Sequence, residues 1–460
     1  MPTPQQLVEA GLAASGADDA MVTVRQHTSA NLRWANNTLT TNGTMVGTEV
    51  TIVSFAHTAA GVATASVTSS ATSEEQVREL VARADAAARG STPAEDAQPL
   101  VCDRHSADWA EPPAHTDIGV YARFAPALGE AFVRAEAEGR VLYGFVDHEV
   151  ATTYLGSSSG LRLRHVQPTG HWGCTGKTAD VSRSAWVGGA TRDFSDVDAE
   201  AMADTLARRL TWGARRVSLP AGRYDTILPP TAIADLLIYA YWEAGARVAT
   251  EGQSVYSRRG GGTRIGEQIA ASGVHLHSDP TYPELGCLPF ALTPASSNLA
   301  SVFDNGLALS ATDWVRDGRL TALAQTRHSA GLTEQPVTPM VDNLVLDVAG
   351  GQGSVDELVA GTERGLLVTC LWYIREVDPQ TLLLTGLTRD GVYLVEDGEV
   401  TAAVNNFRFN ESPVDLLRRF SHASETELAF SREWGDYFSR TAMPALRVPD
   451  FNMSSMSQAL

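Results

Sequence analysis

Two long β-rich runs, each followed by an amphipathic helix, are the feature that most constrains the fold of this chain. The first run, residues 21–69, alternates β-forming residues and is interrupted by the pairs Asn-Asn, Asn-Gly and Ala-Gly, which are typical of turns. The second run, residues 141–190, repeats the pattern with small polar turns. These runs indicate a duplicated unit of strands closed by a helix.

Helical periodicity follows each run. Residues 74–89 and 195–210 place apolar side chains at three- and four-residue intervals. The first set is Val77, Leu80, Val81 and Ala84, and the second set is Met202, Leu206 and Leu210. A further helix is predicted over residues 4–15, and the stretches 90–100 and 111–117 carry the prolines and acids of linking loops. We therefore predict one α+β domain over residues 1–215, built from duplicated strand-helix units.

The pattern changes after residue 215. Pro229 and Pro230 precede an apolar stretch that predicts a helix over Thr231–Thr250, with Thr231 as its N-cap. We expect this helix to pack Ile233, Leu236, Leu237 and Ala240 into a core. Short strand-like segments follow at residues 343–350, 365–374, 391–400 and 407–412. The predicted fold class is α+β with two domains, the second a mainly β domain over residues 216–460 that packs one or two helices.

Length and charge limit the possible partners. A chain of 460 residues is too long for one ordinary core, which favours two domains. The formal net charge of −19 would repel a phosphate backbone, so no nucleic acid is expected. No apolar run reaches the ~18 residues of a membrane helix, and the first residues lack a secretory pattern. We therefore expect a cytoplasmic protein with no membrane partner.

The cysteines and three short motifs invite interpretations that their surroundings do not favour. The four cysteines form no CxxC pair, which argues against a disulfide framework or a zinc knuckle, and Cys370 alternates like a buried strand residue. "GSSSG" at 156–160 places Ser158 in a nucleophile-elbow pattern, but a strand follows where a helix is required, so a hairpin turn is predicted. "RRGGGTRIGEQIA" at 258–270 lacks the spacing of a phosphate loop and predicts a tight turn.

His275 and His277 lie two residues apart, and hence on one face of a predicted strand, where they could share a metal. No third His or Cys lies close in sequence, and such pairs are common on exposed strands. We therefore predict no metal site in this chain. A hydrolytic site that adds an acid such as Asp279 remains an alternative.

Residues 378–391, "DPQTLLLTGLTRDG", concentrate polar residues between an aromatic strand and the strand-like residues 391–400. A polar loop on a β scaffold is a common place for recognition. A long hairpin without a function accounts for the same residues equally well. Both interpretations stay open at this point.

Several separated segments resemble, in the same order, the TldD/PmbA family. They are residues 33–53 ("RWANNTLTTNGTMVGTEVTIV"), 252–270, 302–309, 364–400, 404–412 and 447–460, so the resemblance covers nearly the whole chain. It implies a subunit of two domains. It also implies that TldD-type and TldE (PmbA)-type subunits pair in a heterodimeric zinc metallopeptidase, which degrades unstructured peptides or trims leader segments.

The resemblance breaks down at the metal ligands. The TldD type carries H-E-x-x-x-H on the helix that opens the second domain and a cysteine near the C-terminus, which together hold zinc and activate a water molecule. Here residues 236–253 contain no histidine, Arg247 brings a cation to that segment, and no cysteine follows Cys370. A chain that keeps the family's other motifs but lacks these zinc ligands resembles the TldE (PmbA) type. The resemblance therefore implies no catalytic residue, metal ligand or cofactor in this chain, and zinc in a TldD-like partner.

We therefore predict a non-catalytic subunit that, with a TldD-like partner, shapes a channel for unfolded or extended peptides. The predicted substrate contacts are Asp378, Thr385, Arg389, Asp390, Tyr256 and Arg258. Two alternatives stay open. One is a non-enzymatic peptide-binding homodimer, and the other is a self-sufficient hydrolase built around His275, His277 and Asp279.

Overall fold

The structure, a computed structural model, describes residues 2–457. Within that range no helix combines the length and the apolar character needed to cross a membrane. The N-terminal part contains, in chain order, helix α1 (Pro4–Ala14), strands β1 (Asp19–Ala35), β2 (Thr38–Thr58) and β3 (Gly61–Ser70), helices α2 (Glu74–Gly90) and α3 (Phe124–Ala137), strands β4 (Arg140–Ser157), β5 (Arg162–Thr178) and β6 (Ser184–Thr191), and helix α4 (Ala199–Trp212).

The N-terminal strands form one six-stranded sheet in the order β3-β2-β1-β4-β5-β6. Each half of this sheet is a three-stranded meander with one helix before it and one after it, which confirms the predicted duplication. The halves join where β1 and β4 pair antiparallel, from Met21 opposite Ser157 to Trp34 opposite Gly144. The apolar faces predicted for the two closing helices are buried in two separate clusters beside the strands.

Two details of this part differ from the sequence predictions. The pair Asn42-Gly43, predicted to break a strand, lies inside β2 in continuous register with β1. Asn36 and Asn37, whose φ angles are 50° and 59°, form the turn between β1 and β2 as predicted. The chain has therefore already reversed direction before it reaches Asn42-Gly43. Helix α3 has no counterpart among the predicted elements, although Phe124 and Leu128 lie at helical spacing and are buried.

The C-terminal part contains strands β7 (Arg216–Val217) and β8 (Gly222–Leu228), helices α5 (Pro230–Trp242) and α6 (Ala246–Thr250), strands β9 (Val274–Ser278), β10 (Thr312–Arg316) and β11 (Arg319–Leu320), helix α7 (Arg327–Thr333), strand β12 (Leu344–Val348), helix α8 (Val355–Ala360), strands β13 (Arg364–Val368), β14 (Leu371–Asp378), β15 (Leu383–Thr388), β16 (Val392–Glu396), β17 (Glu399–Val404) and β18 (Phe407–Glu411), helix α9 (Pro413–Arg419), and strands β19 (His422–Ala423), β20 (Glu427–Ala429), β21 (Thr441–Met443) and β22 (Leu446–Met456).

Two sheets of this part enclose helix α5. A six-stranded sheet has the order β11-β10-β9-β12-β21-β20, and a ten-stranded sheet has the order β14-β15-β18-β22-β8-β13-β16-β17-β7, with β19 attached to β22. One core cluster joins residues of α5 to Leu276 and Leu346 of the first sheet and to Leu366 and Phe409 of the second. The predicted fold class, α+β with a mainly β second domain around a packed helix, is confirmed.

The single helix predicted over Thr231–Thr250 is wrong. Helix α5 ends at Trp242 and α6 begins at Ala246, because Gly245 between them leaves the helix and forms a β-bridge with Ala324. The N-cap of α5 is Pro229 rather than Thr231, since Pro230 already occupies the first helical turn.

The two predicted connections have different outcomes. "GSSSG" is the turn between β4 and β5, as predicted, and the hydroxyl of Ser158 donates to the Asp19 carboxylate at 2.8 Å. Residues 378–391, for which a polar loop and a long hairpin were both open, contain strand β15, which pairs with β14 as a hairpin and also with β18. The hairpin forms because Leu382, Leu384 and Thr388 alternate with more exposed residues and bury one face of the strand.

A segment of the C-terminal part packs on the N-terminal sheet. Phe290 and Phe303, which lie between β9 and β10, share a buried cluster with Phe55 and Leu155. The rings of Phe55 and Phe303 meet edge to face with centroids 5.2 Å apart. The two parts of the chain are therefore joined by an apolar contact as well as by the polar contacts described below.

Candidate functional site

Helix α5 is the element on which the resemblance places a metal, and it is buried along most of its length. The side chains from Pro230 to Tyr241, apart from Thr231, are buried, including the four residues predicted to face the core. Such burial on all sides is expected for a helix enclosed between two sheets. The helix therefore offers little side-chain surface to a ligand before its C-terminal end.

One acid, Asp235, lies inside this core. Its carboxylate accepts a hydrogen bond from the Ser431 hydroxyl at 2.6 Å and from the backbone N–H of Glu433 at 2.9 Å. Burial raises the pKa of Asp235 to about 7, against the opposing effect of these two hydrogen bonds. The acid thus ties α5 to the segment before β21 through one of its carboxylate oxygens. Asp235 was not among the predicted site residues.

The C-terminal end of α5 is closed by Tyr256 and Ser254. The Tyr256 hydroxyl donates to the Ala240 carbonyl at 2.9 Å, and the Ser254 hydroxyl donates to the Glu243 carbonyl at 3.3 Å. These carbonyls belong to the last turn, where the helix itself supplies no donors. Burial raises the pKa of the Tyr256 phenol, and only 4% of the residue is exposed. The structure thus places Tyr256, a predicted substrate contact, in the core beneath the site.

Glu243, the last residue of this turn, faces Glu376 on β14. Burial and the neighbouring Glu376 carboxyl raise the pKa of Glu243, and burial raises the pKa of Glu376. Each carboxyl therefore lies close enough to the other to influence its ionisation. An acid pair therefore lies between the end of α5 and β14.

A cleft of about 810 Å³ lies between residues 250–267 and the turn that joins β14 to β15. Its lining includes Thr250, Arg258, Gln380 and Thr381. Arg258, another predicted substrate contact, is exposed and pairs with Glu267 at 2.9 Å. Gln380 bridges the cleft by donating to the Gly252 carbonyl at 3.3 Å. The structure thus brings Arg258 close to the turn between β14 and β15.

The other predicted contacts are spread along the β14–β15 hairpin. Asp378 starts the turn, where its carboxylate accepts hydrogen bonds from the Gln380 N–H at 3.1 Å and the Thr381 hydroxyl at 2.6 Å. Thr385 lies within β15, and its hydroxyl donates to the Phe409 carbonyl at 3.1 Å. Asp378 is therefore near Arg258 and the cleft, whereas Thr385 lies within the sheet.

Arg389 and Asp390 lie at the far end of this hairpin, next to the N-terminal sheet. Asp390 accepts a hydrogen bond from the Ser184 hydroxyl of β6 at 2.8 Å and from Arg432 at 3.2 Å. Arg389 is exposed, with its side chain 3.7 Å from the same carboxylate. These two predicted contacts are thus separated from the cleft and lie at the junction of the two parts.

Arg432 is the centre of this junction. Its guanidinium carbon lies 4.7 Å from the Trp186 ring centroid and 5.2 Å from that of Trp372, and it contacts the Cys370 thiol. Burial raises the pKa of Cys370 to about 12, so the thiol is held protonated and is a poor nucleophile or ligand. The prediction that Cys370 is a buried structural residue is confirmed.

The residues around α5 do not fit a zinc ion. Structural and catalytic zinc sites need three or four protein ligands, usually imidazole or thiolate. Here the helix contributes only Asp235, which is buried and accepts internal hydrogen bonds, and Glu243, the residue that follows the helix, faces another acid. No zinc chemistry is therefore assigned to this helix.

A different group could hold a metal. Among residues 2–457, His275, His277 and Asp347 place one donor atom each within 4.8 Å of one another. Asp279, the acid considered from the sequence, is instead occupied in a turn, where it accepts two hydrogen bonds of 2.8 Å from Thr281. Asp347 was missed because it comes from a neighbouring strand, β12, far along the chain.

The sequence and the fold both match known proteins. Residues 221–455 match the sequence profile of the "PmbA/TldA metallopeptidase C-terminal domain". No curated protein matches the chain. The structure of TldE from Thermococcus kodakarensis is similar with a TM-score of 0.78 and 16% identity, over 97% of this chain and 99% of that one.

Two further solved structures are named "putative modulator of DNA gyrase". The protein from Bacteroides thetaiotaomicron has a TM-score of 0.75 and 14% identity, over 98% of both chains. The protein from Thermotoga maritima has a TM-score of 0.71 and 16% identity, over 94% of this chain and 95% of that one. At such identities the likeness concerns the fold, which is shared along nearly the whole length of each protein.

Proposed function

Because the chain belongs to the TldD/PmbA metallopeptidase family, we propose that it is a non-catalytic, TldE/PmbA-like subunit of a heterodimeric zinc metallopeptidase. In this proposal a TldD-like partner supplies the zinc, and this chain completes the channel that holds an unfolded or extended peptide. The complex degrades such peptides or trims leader segments. It works in the cytoplasm, a compartment that suits four unpaired cysteines.

The observation that carries the proposal is the burial of the side chains of α5. The helix keeps its place between the two sheets, but its side chains serve packing and internal hydrogen bonds. A catalytic zinc needs three protein ligands and an open position for water. A subunit with this helix can contribute to peptide hydrolysis by holding the substrate, whereas the bond-breaking step requires a metal on another chain.

The edge of the ten-stranded sheet supports an extended peptide as the substrate. Strand β14 is the outermost strand and pairs only with β15 among the described residues. Glu433 accepts the N–H groups of Tyr373 and Ile374 at 2.7 and 3.2 Å, so the first half of β14 is covered. The second half, up to Asp378, leads to the cleft that contains Arg258. An extended peptide can pair with such an edge through its main chain.

The proposal is tested with the chain, a TldD-like partner and their mixture. We expect a mixed complex by size-exclusion chromatography and hydrolysis of an unfolded peptide by the mixture alone. The activity should disappear with a chelator and return with Zn²⁺. Zinc-dependent hydrolysis by this chain alone, or full activity of the partner without it, would overturn the proposal. Failure to form a mixed complex, combined with peptide binding by a homodimer, would favour a non-enzymatic binding protein instead.

The role of the sheet edge is tested separately with Val377 on β14, which is 57% exposed. Val377→Asp puts a charge on the edge strand, and we expect kcat/KM of the complex to fall about tenfold, or ~1.4 kcal/mol, mainly through KM. The matched control is Val133→Asp on α3, where the valine is 70% exposed. Equal effects of the two substitutions would remove the edge strand from the proposal.

A further inference from the structure

The group formed by His275, His277 and Asp347 lies on the six-stranded sheet of the C-terminal part. Strand β9, which carries both histidines, lies between β10 and β12. In the antiparallel register Asp347 of β12 is opposite His275, and Asp313 of β10 is opposite His277. Residues directly opposite each other in neighbouring strands point to the same face of a sheet. Two imidazoles are therefore flanked on the same face by two carboxylates.

This face is the one that turns away from α5. The alternate residues of β9 are Val274, Leu276 and Ser278, and all three are buried; the apolar two belong to the core cluster of α5. The side chains of His277, His275 and Asp347 are 14%, 35% and 46% exposed. The group is thus open to solvent on one side and rests on a central strand. It is separate from the helix and cleft discussed above.

One pair of donor atoms already has the separation that a metal requires, and the three donors lie within 4.8 Å of one another. The Nε2 atom of His277 lies 3.0 Å from Oδ2 of Asp347, and the two imidazole rings stack with centroids 4.4 Å apart. Zinc–nitrogen and zinc–oxygen bonds are about 2.1 Å, so two donors on one ion are roughly 3 to 3.5 Å apart. The His277–Asp347 pair lies in that range without any movement.

Asp313 completes the arrangement as an orienting group. Its carboxylate accepts a hydrogen bond from Nε2 of His275 at 2.7 Å, which leaves Nδ1 as the ring nitrogen with a free lone pair. Histidine ligands almost always make this second hydrogen bond to a carboxylate or carbonyl. Arg316 pairs with Asp313 and balances its charge. The carboxylate of Asp347 is then the one that remains for a cation.

We propose that His275, His277 and Asp347 bind one divalent transition-metal ion of the Zn²⁺ class, with water in the remaining positions. Two imidazoles and one carboxylate form a donor set that prefers such ions to Mg²⁺ or Ca²⁺, which take oxygen ligands. The site is independent of the proposed peptidase role, because it lies on another face and needs no partner subunit. The alternative is a pair of His–Asp hydrogen bonds that hold neighbouring strands together and bind no metal.

The test uses the full-length chain without a polyhistidine tag, stripped with a chelator and desalted. Titration calorimetry with ZnCl2 should show one equivalent bound, and Mg²⁺ at the same concentration should show none. Co²⁺ should give a visible absorption band that Zn²⁺ abolishes, a measurement that needs no variant. The absence of stoichiometric Zn²⁺ binding and of the Co²⁺ band would overturn the proposal.

Variants locate the ion. His277→Gln and Asp347→Asn should each weaken Zn²⁺ binding at least tenfold, as loss of one of three ligands does. The matched control is His57→Gln, because His57 faces Asp19 at 3.4 Å but belongs to no group of three possible metal ligands within residues 2–457. Retention of wild-type Zn²⁺ affinity by both ligand variants would place the metal elsewhere and contradict the assignment. Circular dichroism of each variant checks that it is folded. If a variant does not fold, the Co²⁺ band of the unaltered chain still tests whether the metal site exists.

Discussion

Ser184 and Asp390 are joined by a 2.8 Å hydrogen bond in which the serine hydroxyl on β6 donates to the aspartate carboxylate at the end of the β14–β15 hairpin. The same carboxylate accepts from Arg432, which in turn lies over the Trp186 ring. The N-terminal sheet therefore fixes one end of the hairpin, while the other end borders the cleft. The position of the predicted peptide edge thus depends on both parts of the chain.

Replacement of Arg432 tests this junction. Arg432→Met removes the cation from between Trp186 and Trp372 and leaves Asp390 with a single hydrogen-bond donor. Loss of one partner of a largely buried charge pair costs several kcal/mol, and we expect the free energy of unfolding to fall by about 3 kcal/mol. Denaturant unfolding followed by tryptophan fluorescence measures the change.

The control for this prediction is Arg389→Met. Arg389 lies 3.7 Å from the same Asp390 carboxylate, but 44% of its side chain is exposed. An exposed pair contributes less than about 1 kcal/mol. If the two methionine variants lost equal stability, the stacking of Arg432 between the tryptophans would have no special role.

The second prediction concerns the buried acid Asp235. Its pKa is raised to about 7, so the protonated form is favoured in the folded chain. The contribution of Asp235 to the free energy of unfolding is fully present below the ordinary aspartate pKa of about 3.9. It is lost as the pH rises through about 7. Asp235→Asn keeps an oxygen for Ser431 and Glu433 but cannot ionise. Relative to wild type, this variant should gain about 1 kcal/mol per pH unit across that window.

Urea unfolding at a series of pH values checks the prediction, with Asp356→Asn as the control. Asp356 is an exposed partner of Arg208, so Asp356→Asn measures what the loss of a carboxylate at the surface does to the free energy of unfolding at each pH. A constant difference between Asp235→Asn and wild type from pH 4 to pH 8 would mean that Asp235 does not titrate in this window.

Local patterns predicted much of the fold. The duplicated strands and their closing helices follow from alternation and helical spacing, and the Asn-Asn turn follows from the tolerance of asparagine for positive φ. The break between α5 and α6 was not predictable in this way, because it depends on the pairing of Gly245 with Ala324, a residue far along the chain. Strand β15 was missed for another reason, since its polar residues hid a regular alternation.

The site was harder to predict than the fold. Asp347 joins His275 only through the register of β9 and β12, and Asp235 meets Ser431 across a separation of 196 residues. No local pattern contains such pairs. The predicted contact Tyr256 has a hydroxyl that closes a helix end, a role that becomes visible only when the position of Ala240 is known. Its contribution to substrate binding, like that of Asp378, Thr385, Arg389, Asp390 and Arg258, remains a prediction.

Replacement of Tyr256 by phenylalanine measures the structural role. The Tyr256 hydroxyl is the donor for the Ala240 carbonyl in the last turn of α5. Tyr256→Phe removes this hydrogen bond inside the core, and we expect a loss of about 1 kcal/mol in the free energy of unfolding. The control Tyr437→Phe, at a tyrosine that is 76% exposed, should have no measurable effect. A larger effect on peptide binding than on stability would instead support Tyr256 as a substrate contact.

The final prediction concerns the acid pair of Glu243 and Glu376. Both carboxyls have a raised pKa, so the stability from their protonated forms is present below the ordinary glutamate pKa and is lost as the pH rises. Glu376→Gln removes one charge and keeps a side chain of the same size opposite Glu243. We expect it to stabilise the chain at pH 7 by less than about 1 kcal/mol, because solvent screens this partly exposed pair, and to have no effect near pH 4. Denaturant unfolding at pH 7 and at pH 4 measures the change in the free energy of unfolding at each pH. The control is Glu399→Gln, at an exposed glutamate at the start of β17. A loss of stability at pH 7 would show that the two carboxyls do not oppose each other at the end of α5.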